Sequence, residues 1–174
     1  TTVTTAAEWT NAGGLTSFKP DGFSLGSWND VNSSSYNYVA WCWDMGDTSV
    51  TNTSGSISSQ VRANTTYGQS IVSYTGNGSD NQTVGHGLSS APEMIIYKDR
   101  ENANNDWKVY HSSIGNAKDL RLNSTAAEGS STAWGSTTPT SSLFTVNGSN
   151  TTNINNNDSI AYCFHSVTGY SSIG

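Results

Sequence analysis

A chain of 174 residues is long enough for one hydrophobic core, burying roughly two-thirds of the surface its unfolded form exposes. Only 33% of residues are hydrophobic and 11% charged, yet six Trp, eight Tyr and four Phe exclude the aromatic-poor, highly charged composition of a disordered chain. A formal charge of −6, with seven Lys and Arg scattered along the chain, excludes the cationic cluster a nucleic-acid binder needs, and no apolar run reaches the length of a membrane-spanning helix.

The expectation is therefore a soluble chain with no nucleic-acid partner and no membrane insertion. Because it starts at Thr1 without Met, it reads as a processed product, an excerpt or the ordered part of something longer.

Strand-like stretches, rich in aromatic and β-branched residues, recur at short spacing between clusters of Gly, Asn, Asp and Ser. In chain order they are Gly22–Leu25, Tyr38–Trp43, Ser70–Tyr74, Glu93–Lys98, Trp107–His111, Leu120–Asn123, Leu143–Val146 and Ser159–His165. Ser54–Asn64 reads as a loosely paired strand or a loop, and Ala117–Leu122 as one helical turn at most. Thr75-Gly76-Asn77-Gly78 carries the Asn-Gly signal of a tight hairpin. This pattern predicts an all-β fold with little or no helix, an antiparallel β-sandwich of jelly-roll or concanavalin-like type, with residues 1–174 forming one module.

An internal echo stands out. Phe23-Ser-Leu-Gly leads to Tyr38-Val-Ala-Trp-Cys-Trp43, and Phe144-Thr-Val-Asn leads to Ser159-Ile-Ala-Tyr-Cys-Phe164. The differences 144 − 23 and 164 − 43 both equal 121, so residues 23–43 recur in 144–164. The echo predicts two hairpins of like design, paired across one sandwich or each belonging to a separate neighbour; the former is preferred. Strand alternation sets Val39, Trp41 and Trp43 opposite Tyr38, Ala40 and Cys42, and Ile160, Tyr162 and Phe164 opposite Ala161, Cys163 and His165. Cys42 and Cys163 thus fall on the small-residue face, as buried thiols or, if the strands are neighbours, a disulfide.

His86, His111 and His165 lack the close spacing of a metal set. In Val84-Gly85-His86-Gly87-Leu88 the glycines indicate a tight backbone path, and a structural hydrogen bond is the expected role of His86. Asp99, Glu101, Asp106 and Asp119 are numerous enough for a glycosidase pair, but they lie in a polar loop rather than in an apolar strand that would raise a carboxyl pKa. Asn-x-Ser/Thr sequons are frequent, as any chain this rich in Asn, Ser and Thr produces by chance.

The stretch Asp99 to His111 is the one that could recognise a ligand. Its amides and carboxylates can hydrogen-bond sugar hydroxyls while a ring stacks on the sugar face, which makes Asp106, Trp107, Tyr110 and, farther along, Trp134 candidate glycan contacts. The same oxygens could bind calcium. The preferred alternative turns Trp107 and Val109 toward the core of a strand.

Taken in order, Phe18-Lys-Pro-Asp-Gly-Phe23, Tyr38–Trp43, Ser70-Ile-Val-Ser-Tyr-Thr-Gly-Asn-Gly-Ser79, Val84–Leu88, Ala91-Pro-Glu-Met-Ile-Ile96, Asp106-Trp-Lys-Val-Tyr-His111 and Ile160-Ala-Tyr-Cys-Phe164 resemble a repeat domain of marine bacteriophage tail-fibre and virion-surface proteins. The resemblance runs from about Thr16 to Gly174. It implies a lectin-like, concanavalin-type sandwich, often in tandem, on a virion surface or outside the cell, and supplies no catalytic residues and no cofactor. The expected function is a non-enzymatic structural module that packs against copies of itself or neighbouring fibre subunits and touches host glycan. A carbohydrate-binding or adhesin domain is the alternative, and a jelly-roll glycan hydrolase or lyase the third class.

Overall fold

The computed structural model describes residues 10–46, 48–135, 137–148 and 152–174. Among the described residues the chain is all-β apart from one four-residue helix, and its named strands pair antiparallel, with one isolated parallel bridge between Ile57 and Val84. It divides into two compact units, Glu8–Trp43 and a larger one built on Asp44–Gly174.

In the N-terminal unit β1 (Leu15–Lys19) and β2 (Gly22–Leu25) form an antiparallel ribbon around the turn at Pro20-Asp21, with Lys19 facing Gly22. Backbone bonds from Gly26 N to Gly14 O (2.8 Å) and from Trp28 N to Gly13 O (3.0 Å) extend the ribbon toward α1 (Asn29–Asn32). Tyr38 then folds back, its hydroxyl donating to Asn29 O (2.7 Å) and accepting from Ser33 N (3.0 Å). The strand expected over Tyr38–Trp43 does not form. Its composition suits a strand, but a strand exists only where neighbouring backbone satisfies its N–H and C=O groups, and no described strand pairs with it.

The larger unit contains β3 (Val50–Asn52), β4 (Ser59–Asn64), β5 (Gln69–Thr75), β6 (Gln82–Gly85), β7 (Met94–Asp99), β8 (Lys108–His111), β9 (Lys118–Arg121), β10 (Gly129–Ser130), β11 (Leu143–Val146) and β12 (Asp158–Phe164). Eight of them make one sheet in the order β10-β9-β8-β7-β12-β5-β4-β3, while β11 pairs with β6 in a separate ribbon. The second expected hairpin is thereby overturned: β11 and β12 do not pair, and β12 instead runs between β5 and β7. Its seven residues need a ladder on both sides, which only two long strands supply. The segment around Leu120 is strand β9 rather than a helical turn, since Val109 and Leu120 pair in register.

One face of the eight-stranded sheet is the core. Across it run Ala63, Ser70, Cys163, Ile95 and Tyr110, and next to them Val61, Val72, Ala161 and Tyr97. Val84, Phe144 and Val146 of the ribbon, together with Ala133 and Trp134, close over this face in one hydrophobic cluster. Tyr74 meets Phe144 edge-on at 6.4 Å and Tyr110 meets Trp134 at 5.8 Å. Small residues at 161 and 163 let these rings approach the middle of the sheet. The opposite face carries a half-buried row of Ile71, Tyr162 and Ile96.

The Gly76-Asn77-Gly78 segment is not a hairpin turn, because β5 and β6 belong to different sheets. It carries the chain from one layer to the other against the loop before β12, with Gly76 N donating to Asn157 O (2.9 Å) and Gly78 N to Asn153 O (3.0 Å). A Cβ on Gly76 would lie 2.1 Å from Ile154 O, so only glycine fits.

Candidate interaction surface

The loop from Asp99 to Trp107 is organised from within. Asp99 is fully buried, and its Oδ1 accepts from Glu101 N (3.0 Å) and Asn102 N (3.1 Å), while Oδ2 accepts from the Nδ2 atoms of Asn105 (2.8 Å) and Asn157 (3.0 Å). Lys98 Nζ donates to the carbonyls of Asn102 (3.3 Å) and Asn105 (2.8 Å) from the base of the same loop. Burial pulls this ammonium below its ordinary pKa, and the carboxylates of Asp99 and Asp106 oppose that pull. The carboxylates on which a calcium site would draw already have protein donors. Asp106 accepts from Asn123 Nδ2 (2.9 Å) and meets Arg121 at 3.2 Å, and Asp119 holds Lys108 at 2.5 Å and the Ser131 hydroxyl at 2.7 Å.

The four candidate glycan contacts do not converge. Tyr110 and Trp134 are 1% and 2% exposed and stack edge-on inside the core, so neither ring has a face open to a sugar. Asp106 and Trp107 are half-buried at the edge of the loop, where Trp107 N donates to Asn123 Oδ1 (2.9 Å). The facing of β8 also differs from expectation. Tyr110 points into the main core cluster, whereas Val109 is buried as expected but on the opposite face, paired with Ile96 and Leu120, and Trp107 is half-buried outside the cluster. In a strand, one misassigned residue turns all its neighbours over.

His86 is buried and bridges two backbone groups. Its Nε2 lies 3.1 Å from Thr140 O and donates to it, and its Nδ1 accepts from Leu88 N (3.2 Å), the structural role expected of it. Burial lowers its pKa to about 4; the bond to Thr140 opposes this and the charge of His165 adds to it. Gly85 permits the tight path, as a Cβ there would sit 2.2 Å from Asn52 Oδ1. Both cysteines are free thiols. Cys163 lies in the core, where burial pushes its pKa up to about 12, whereas Cys42 is exposed rather than on a buried face.

The exposed apolar surface gathers in the N-terminal unit. Phe18 is 82% exposed, Val39 80% and Trp41 63%, and Tyr36, Tyr38 and Trp43 are exposed as well. Single exposed apolar residues are ordinary, but a run of them with strand-like alternation marks a contact surface. Composition did flag this stretch. A second feature had no sequence signal: a shallow polar cleft at one end of β4, β5 and β12, lined among others by Ser58, Gln60, Thr75, Arg100 and Asp158. Asp158 Oδ1 accepts there from the Thr75 hydroxyl (2.8 Å). Among the described residues no group of three or more His, Cys, Asp or Glu side chains converges as a metal site would require, and no helix is long and apolar enough to cross a membrane.

A family model described as a domain of unknown function, DUF7483, matches residues 1–174, and the chain belongs to that family. No curated protein and no solved structure matches it.

Proposed function

We propose that this member of the family is a non-enzymatic structural module of a virion-surface or extracellular fibre, working through protein–protein contact with copies of itself or neighbouring subunits and attaching to host surface. The observation that carries this reading is Tyr38–Trp43, a segment with the residue pattern of the central strand β12 that belongs to no sheet and exposes its apolar side chains. Supporting it, the acids Asp99, Asp106 and Asp119 are engaged by protein donors and hold loops and strands in place.

Light scattering with electron microscopy of the purified chain tests this reading. Filaments or a closed oligomer are expected, and a strict monomer at high concentration would overturn it. A second reading, a carbohydrate-binding domain, is favoured by the cleft of hydroxyls, amide, carboxylate and guanidinium at Ser58, Gln60, Thr75, Asp158 and Arg100. It predicts a glycan-array signal that Arg100→Ala removes.

A further inference from the structure

We propose that Tyr38–Trp43 is the central strand of a second sandwich of this same family, entering between that sandwich's counterparts of β5 and β7. This rests on the reading above of Tyr38–Trp43 as a contact segment and names its partner: a second set of the strands found in residues 44–134 whose place for β12 is open. The chain's own β5 and β7 already flank β12, so that slot is filled.

The sequence echo is matched by a structural one. Strands β2 and β11, four residues each, cover Gly22–Leu25 and Leu143–Val146 at the same offset of 121 (143 − 22). The turn before each also recurs: Gly14 N donates to Asn11 O (3.0 Å), and 121 residues on Gly135 N donates to Thr132 O (3.1 Å). Lys19 faces Gly22 across a tight turn, as Thr140 N donates to Leu143 O (2.8 Å). The two stretches share this strand and these turn bonds but not every partner: Leu15–Lys19 is a strand paired with β2, whereas residues 137–140 form none and β11 pairs with β6. They differ again at the final strand. Where β5 and β7 flank it, Ser159–Phe164 is a strand; where no such pair is present, Tyr38–Trp43 is not.

The side chains fit the same slot. Ala161 and Cys163 are fully buried between Val72 and Tyr97 and between Ser70 and Ile95, where a larger residue would collide with the opposing ribbon. The N-terminal segment keeps both small residues, as Ala40 and Cys42, at those two positions. Val39 and Trp41 take the places of Ile160 and Tyr162 on the opposite, half-buried face. The partner must therefore offer two strand edges with unsatisfied backbone groups and an apolar wall, a mode of recognition in which main-chain bonds give affinity and alternate side chains give register.

The test joins residues 44–134 ahead of Gly14 in one polypeptide, so that the graft meets Gly14–Trp43 at the spacing with which residues 44–134 meet Gly135–Phe164. Thiol modification read by mass spectrometry follows Cys42. In the unfused chain the exposed Cys42 is expected to react rapidly, and in the fusion to be protected by at least about 100-fold, as a core group is in a stable fold. Ala40→Glu, on the side that turns inward, is expected to abolish the protection, and Val39→Glu to leave most of it. Cys42 remaining as reactive as in the unfused chain overturns the proposal. A control in which the graft is followed by its own Gly135–Val167 reports that the graft folds beside a neighbour. Protection of Cys42 with a strictly monomeric parent chain would leave strand completion standing and remove the fibre reading; filaments with a reactive Cys42 would do the reverse.

Discussion

Acidification gives a sharp test of the core. His86 has no exposed surface, and its pKa is lowered from the ordinary 6.5 to about 4 because burial disfavours the imidazolium. As pH falls, the unfolded chain takes up this proton before the folded one. The contribution of His86 is therefore complete above about pH 6.5 and is lost progressively toward pH 4. The difference of 2.5 units corresponds to about 3 kcal/mol in total, of which about 2 kcal/mol is gone by pH 5. With a denaturant dependence of about 2 kcal/mol per molar urea, the unfolding midpoint should fall by about 1 M between pH 7 and pH 5. Glu93, held low by bonds from Ser166, adds a loss of its own as pH falls through the ordinary carboxylate range, which is mostly below this window. His86→Gln removes the proton and should flatten the dependence over this interval. A folded-state NMR titration placing His86 near 6.5, or a His86→Gln chain with an undiminished slope, would refute the argument.

Three further outcomes follow from burial and bonding. Asp99→Ala should cost about 3–5 kcal/mol and open the loop to proteolysis at Arg100, since it strands donors from Glu101, Asn102, Asn105 and Asn157; urea denaturation and limited trypsinolysis measure both. Trp134→Ala should cost about 3–5 kcal/mol, as an emptied core ring does, whereas Trp41→Ala should change global stability by less than about 0.5 kcal/mol. In native buffer a thiol reagent should label Cys42 alone, with Cys163 reacting only on unfolding, because its thiol is buried and stays protonated.

Much of the fold was legible because strand-forming residues and turn residues alternate so plainly. Gly22–Leu25 and Leu143–Val146 match the observed strands at both ends, and β5, β7, β8 and β12 lie within a residue or two of their expected bounds. β6 carries no such signal, since Gln82-Thr-Val-Gly has one apolar residue and becomes a strand only through β11. Among the candidate site residues, sequence composition located the aromatic loop but could not tell which rings were inward. Tyr110 lies opposite Ile95 in the core row, and nothing local distinguishes it from Trp107.

By itself the sequence determined the class of fold, the tight path at His86, the small-residue face of β12 and the recurrence of residues 23–43 in 144–164, all of which depend on periodicity, residue size and spacing. Tertiary structure alone decided which strands are neighbours. A backbone ladder is satisfied by whichever strand lies beside it in space, however distant in sequence. The same pattern is therefore a buried central strand at Ser159–Phe164 and an exposed segment at Tyr38–Trp43.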